Sequence, residues 1–440
     1  MGIPISRRQA IARTSVAVGG ALLGNLSSAL AQAPGSGAKA NRRPNILLMV
    51  TCSWSGPGSE ASDMAGLNMP TLARLRRDGT SYDNAFSASP AVLFDYVDLL
   101  KKSGYAVPPH QALGSMDFET FLGQRPAGKP FFYRFDSKNT PPAHDYDLTG
   151  FDVPPYLPDT PAVRKDIAYY RRRMEEFDRD AGLLVDRLER DRELADTLVI
   201  VMGESSWPFP RAKGTLYDAG RRVPLVVMHL AAAPRGKISK AVVSTADLPM
   251  TFLKAAKLNR FAVNKAPTRT PLPLSDADAN ANANANATQR SLVSGTERHT
   301  EYPSRAIRTQ QYLYIRNLYP DRWPVGAPAA QAVTPFQLDT DTDAAFPGIA
   351  TGPAKTAMIV GRGNPVIDRI LDLATAKRPA AELYDVHADP HQLSNLTADP
   401  ALKSIANELD KQLLAELKRT NDPQAALIGP IVWQTVPARS

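Results

Sequence analysis

The 440-residue chain predicts an α/β fold with a sheet held between layers of helices. Two observations carry that expectation. Short continuous apolar runs recur at Asn45 to Val50, Pro130 to Phe135, Thr197 to Met202 and Val223 to Met228, and such runs suit strands buried on both faces. Between the second and third runs lies an amphipathic helix. Asp159 or Thr160 can cap it, Pro161 takes a first-turn position, and Val163, Ile167, Tyr170, Met174, Phe177, Ala181, Leu184 and Leu188 repeat at alternating spacings of four and three. Strand, helix and strand at this spacing make a βαβ unit, which places the apolar stripe against the sheet.

The first 33 residues read as a cleaved export signal. Arg7 and Arg8 open it, an apolar stretch runs from Ser15 to Leu30, and Ala31-Gln32-Ala33 supplies a small-residue cleavage site. The Ser6 to Ile11 context resembles a twin-arginine signal, which delivers a folded protein across the inner membrane; a general secretory signal is the alternative. Either route implies a periplasmic or secreted protein. Residues 34–42 then form a linker, 43–274 the α/β core, 275–290 a low-complexity loop with an Ala-Asn repeat, and 291–440 the end of the core with a smaller C-terminal α+β subdomain. A strand at Tyr312 to Asn317 and a helix from Ala401 to Lys418 belong to that last part.

Composition excludes several classes. Hydrophobic residues at 43% with 22% charged argue against wholesale disorder. The net charge is +8, and the three arginines of the signal account for part of it, leaving a mildly basic +5. No Lys/Arg block with interleaved aromatics suggests a nucleic-acid surface. Beyond the signal no stretch offers the ~18 apolar residues that span a bilayer. Cys52 is the single cysteine, so neither an internal disulfide nor a thiolate zinc cluster can form.

In open α/β sheets, ligands bind beyond the carboxyl ends of the strands. The segments to inspect are therefore Thr51 to Gly56 and Gly203 to Trp207. After the second comes Pro208-Phe209-Pro210-Arg211-Ala212-Lys213-Gly214-Thr215-Leu216-Tyr217-Asp218-Ala219-Gly220, with Arg222-Val223-Pro224-Leu225 behind it. This stretch resembles the sulfatase family, in the branch of heparan N-sulfatase and its bacterial relatives. Arg43 to Leu48 is similar to that family's first strand, and Val153 to Thr160 leads into a long helix as it does there. Glu382-Leu383-Tyr384-Asp385 with Asp389-Pro390 and Asn395-Leu396 resembles its C-terminal signature. The resemblance spans most of residues 43 to 423 and implies an alkaline-phosphatase-like sulfatase core, a mixed sheet between helices. It also implies hydrolysis of sulfate esters or sulfamates by a formylglycine hydrate beside a divalent cation, usually calcium.

Against that pattern the chain departs at the chemistry. The formylglycine is made from the Cys or Ser of a C/S-x-P-x-R motif, which should follow Asn84-Ala85-Phe86. Here Ser87-Ala88-Ser89-Pro90-Ala91 runs directly into a Phe94 to Lys101 helix, and neither Ser87, Ser89 nor Cys52 has the required Pro and Arg. Cys52 and Ser53 stand where the family has paired Asp, and Glu204 and Ser205 where it has Asp-Asn. Thr140-Pro141-Pro142 replaces a Pro-His-Arg, with His144 nearby, and Ala106-Val107-Pro108-Pro109 replaces a Gly-Lys-Gly-Trp.

By the resemblance, Lys213 matches a lysine that touches the substrate sulfate, and Glu297-Arg298-His299 an Arg-His segment near the pocket. Arg211, Lys213 and His299 are the expected substrate-binding residues, and Glu204 is a vestigial metal ligand. Each has a plainer reading: a solvated lysine, a structural histidine, a salt-bridged carboxylate, and for Cys52 a small buried hydrophobe. No cofactor is expected, although calcium serves the family. With most acidic ligands gone the pocket should be more positive and hold a sulfated or otherwise anionic glycan weakly without catalysis. A working hydrolase with altered ligands and a decayed gene product are the two alternatives.

Overall fold

The structure, a computed structural model, describes residues 42–51, 66–87, 96–109, 117–137, 147–205, 207–230, 235–258, 271–272, 290–292, 302–329 and 331–429. Six strands build the larger sheet: β1 (Asn45–Thr51), β2 (Thr80–Phe86), β3 (Phe132–Asp136), β4 (Thr197–Gly203), β5 (Leu225–Met228) and β6 (Lys237–Ser244). Their spatial order is β3-β1-β4-β5-β2-β6. β5 runs antiparallel to both neighbours, while the other pairings are parallel. The sheet is therefore mixed, and the carboxyl ends of β1, β2, β3, β4 and β6 share one edge.

The apolar runs become strands because both sheet faces are covered. Leu47, Met49, Val199 and Val201 pack under the long helix Pro161–Arg190 through Val163, Ile167, Met174, Phe177, Ala181 and Leu188. Ile46, Leu48, Val50, Ile200 and Met202 face the other way, onto Leu100, Leu248 and Phe252. Thr160 rather than Asp159 caps the long helix, its side chain accepting from the Val163 N–H at 3.2 Å. The runs opening on Pro130 and Val223 become regular strands only from Phe132 and Leu225. Pro130 and Pro224 carry no N–H to donate to a ladder.

β2 and β6 were not legible as apolar runs. β2 mixes Thr80, Ser81, Asp83 and Asn84 with Tyr82, Ala85 and Phe86, and β6 starts on exposed Lys237 and Ile238. Pairing with each other and with β5 recruits them.

A second, antiparallel sheet follows the order β10-β9-β8-β7, from β7 (Arg290–Leu292), β8 (Ser304–Arg308), β9 (Tyr312–Asn317) and β10 (Ala381–Asp385). Leu409, Leu413 and Leu417 of helix Lys403–Arg419 cover one face against Ile307, Tyr314 and Leu383. That helix begins later than the sequence suggests, since Pro400–Leu402 forms a 3-10 turn. The other face, Ala306, Leu313, Ile315 and Tyr384, receives Leu216 and Tyr217 from the first sheet's connecting segment. Helices Pro353–Val360 and Pro365–Thr375 lie in the intervening excursion. Among the described residues no helix is long and apolar enough to cross a membrane.

Helix Pro70–Asp78 has no side-chain cap of its own. Asp178, buried on the long helix, supplies one by accepting from the Thr71 and Leu72 N–H groups at 2.9 and 2.6 Å. Carboxylate to N–H bonds at a helix start are charge-assisted. Asp178→Ala should therefore lose about 2–3 kcal/mol in urea unfolding, and Asp178→Asn, which keeps one acceptor, should lose less. Asp166 works in the opposite sense. Its carboxylate faces Gly352 at the start of helix Pro353–Val360, and burial pushes its pKa up to about 6. The folded chain then retains a proton that the unfolded chain has released, so this group's contribution to stability falls as pH rises from the ordinary carboxylate range through 6. Asp166→Asn should raise Tm at about pH 7.5 and leave it unchanged near pH 3.5.

Candidate functional site

At the shared carboxyl edge the chain carries three charged side chains within contact of one another. Glu204 follows β4 directly, its backbone N–H donating to the Thr51 carbonyl at 2.9 Å, so that it is fixed to the end of β1. Its carboxylate accepts from Arg134 Nη2 at 3.2 Å. Arg134 lies inside β3, paired in register with Leu48, and its Nε donates to both oxygens of Asp136 at 2.8 and 3.0 Å. The guanidinium is 9% exposed and its two carboxylates 24% and 21%. Burial opposes charge on Arg134, but the neighbouring carboxylates outweigh it and hold the guanidinium protonated. Burial also lifts the Asp136 carboxyl above its usual range, a rise that Arg134 offsets in part.

The other half of the edge is the segment from Trp207 to Arg222. Trp207 packs tilted and Phe209 edge-on against Tyr170 of the long helix, with ring centroids 6.3 and 5.5 Å away. Asp218 closes the segment, meeting Arg308 of β8 in a two-pronged ion pair at 2.8 and 3.0 Å, both side chains nearly inaccessible to solvent. Tyr217 donates to Glu382 at 2.7 Å, and Glu382 also accepts from Tyr384 and Asn317. Between these anchors the chain turns tightly through Lys213 and Gly214, both exposed, with Gly214 at φ +86°. Beside the turn, Arg222 donates to the Asp83 carbonyl at 2.8 Å and to Asn84 at 3.2 Å, where β2 ends. Ser87 is buried there, its N–H donating to the Arg221 carbonyl at 2.7 Å.

The expected site residues separate on this map. Glu204 is placed at the strand edge and Lys213 on the exposed turn. Arg211 is turned inward: it is buried, its Nη1 donates to the Leu373 carbonyl at 2.8 Å, Nη2 donates to the Gln392 carbonyl, and the guanidinium covers the Tyr217 ring at 3.9 Å. A sulfate cannot reach a guanidinium engaged in this way, so the substrate-contacting role expected of Arg211 is replaced by a structural one. Ser205 is half-buried beside Glu204. Cys52, Ser53, His144 and His299 lie outside the described residues. Asp136 adds a carboxylate to this edge that the sequence reading did not count. A cavity of about 520 Å³ beside Phe151 and Arg171 of the long helix includes none of these residues.

The sequence reading missed Arg134 and Asp136. Their signal was present: an arginine interrupts an otherwise apolar strand, and an aspartate follows two positions later on the same face. Calcium takes about six to eight oxygen ligands. Here both carboxylates at the edge are already paired with an internal cation, and among the described residues no group of three or more His, Cys, Asp or Glu side chains gathers. These residues do not fit a calcium ion.

The mixed sheet between helices defines an alkaline-phosphatase-like α/β protein. Two solved structures bear this out. A candidate sulfatase of Bacteroides fragilis superposes with a TM-score of 0.60 at 14% identity, covering 88% of this chain and 98% of that one. A protein solved in complex with its substrate, D-glucosamine-2-N,6-O-disulfate, gives 0.55 at 15% identity, covering 87% and 99%. At such identities the likeness concerns the fold alone. No family model matches the chain. Human N-sulphoglucosamine sulphohydrolase is 27% identical over 299 residues, 63% of this chain and 53% of that protein. The ulvan-active sulfatase of Formosa agariphila is 23% identical over 292 residues, 64% and 44% respectively. The chain spans about half the length of the curated relatives it matches, and over that span its sequence is similar to these two sulfatases.

The turn that carries Lys213 depends on Gly220. A Cβ at that position would run into the Ala212 carbonyl and lie 2.5 Å from Thr215 Oγ1. Gly220→Ala should cost about 1–3 kcal/mol by overpacking, read as a lower urea midpoint with an unchanged slope.

Proposed function

We propose that this chain is an exported sulfatase-fold protein that does not hydrolyse sulfate esters or sulfamates and at most binds sulfated or otherwise anionic sugars weakly. The observation that carries the reading is the ion pair between Glu204 and Arg134. The one carboxylate at the position of the family's later ligand pair is engaged by a protein cation. No C/S-x-P-x-R sequence follows Phe86 to supply a nucleophile. Export rests on the composition of residues 1–33.

Anion recognition rests on Lys213, which is exposed on a turn held rigid at both ends, while the Arg134 guanidinium is engaged by Asp136 and Glu204. The printed names of the relatives, a sulphoglucosamine sulphohydrolase and an ulvan-active sulfatase, point to sulfated sugars as the ligand class. A single charge-assisted hydrogen bond contributes about 1.5–3 kcal/mol, so after association costs the dissociation constant should fall around millimolar.

Two measurements test the reading. Aryl sulfates and N-sulfated glucosamine should give no turnover above background, even with a formylglycine-generating enzyme co-expressed, because both nucleophile and cation contributions are missing. Turnover in a rigorously purified sample would overturn the non-catalytic half. NMR titration with a heparin-derived disaccharide should show a response that weakens with salt and disappears in Lys213→Ala. An equal response to the desulfated sugar would remove the binding half.

A further inference from the structure

We infer that the Arg134 guanidinium takes the place of the divalent cation at the strand edge, making this a charge cluster that folds without metal. The inference concerns the edge itself and does not depend on whether any sugar binds. Three features point to it. Arg134 lies buried between Tyr133 and Phe135 in β3, and its guanidinium meets Asp136 and Glu204 at the carboxyl edge of the sheet. It bridges carboxylates from two different strand ends, Asp136 on β3 and Glu204 after β4, which flank the end of β1 on either side. Its contacts, at 2.8, 3.0 and 3.2 Å, occupy both oxygens of Asp136 and one of Glu204.

Two carboxylates brought together at a sheet edge repel one another and lose hydration, and the pair is tolerated only when a cation sits between them. A bound divalent ion meets that need in proportion to its concentration, whereas a guanidinium on the chain is always charged and always present. A divalent ion and the Arg134 side chain would compete for the same oxygens, so the native protein should be indifferent to metal. Removal of Arg134 should convert the edge into a weak divalent-cation site. Arg134 here is a positioning residue, with no reacting atoms assigned to it.

The test is a set of thermal melts of the full chain in EDTA, in about 10 mM calcium or manganese chloride, and in sodium chloride of matched ionic strength. The native protein should show the same Tm in all three. Arg134→Ser should melt lower in EDTA and rise by about 2 °C or more with the divalent ion, reversibly on chelation. Arg134→Lys, which keeps a cation, should behave like the native chain. In Arg134→Ser/Glu204→Gln the rise should vanish, since one of the two carboxylates is gone. Should Arg134→Ser fail to fold, Arg134→Gln, close in shape and neutral, is read in the same way. Chelator-reversible stabilisation of the native protein would overturn the inference. So would a folded Arg134→Ser or Arg134→Gln variant with no response to either ion.

Discussion

Asp218 and Arg308 join the two sheets through a buried, two-pronged ion pair. Arg308 belongs to β8 and Asp218 to the segment before β5, and neither side chain is appreciably solvated. Removing either partner of such a pair would strand a charge in the interior, at a cost of about 3–5 kcal/mol. Its influence extends along the chain. Tyr217 next to Asp218 is hydrogen-bonded to Glu382 of β10, and Gln392 accepts from the Asp218 N–H at 2.9 Å while its carbonyl receives Arg211. The turn bearing Lys213 is thus suspended between anchors that belong to the C-terminal part. The position of an exposed lysine is set by buried groups from both sheets.

Much of this scaffold could be read before the structure. β1 and β4 appear within a residue of their apolar runs, and the long helix carries the expected stripe from Val163 to Leu188. Those elements are legible because burial on both sheet faces, or along one helical face, writes itself as periodicity. β2 and β6 are not, because pairing alone holds their polar residues in place. Arg211 misled for a related reason. A motif specifies a backbone path and a residue type, but its φ of +59° and the position of the Leu373 carbonyl decide where the guanidinium goes. The same holds for Arg134, whose partners come from its own strand and from a residue far along the chain.

The edge cluster sets electrostatic terms that differ from those of a metal centre. A divalent ion held by carboxylates leaves part of its charge directed at a ligand, which is how it polarises an oxygen. The guanidinium shared between Asp136 and Glu204 has its Nε and Nη2 directed at those carboxylates. Its charge is shared between two carboxylates of the protein, whereas Lys213 stands exposed on its turn. The cation at this edge, Arg134, and the exposed lysine of the turn, Lys213, are thus separate groups on different segments.

That separation costs the fold little, because the elements that stabilise it lie elsewhere. The two faces of the larger sheet are closed by aliphatic and aromatic contacts that involve neither Glu204 nor Lys213. Helix Pro70–Asp78 is capped by Asp178, well removed along the chain from the edge, and the second sheet is covered by its own helix. The backbone fold is accordingly shared with a solved neighbour at 14% identity. Fold similarity constrains the strands, and the few residues just beyond their carboxyl ends decide what the protein can do.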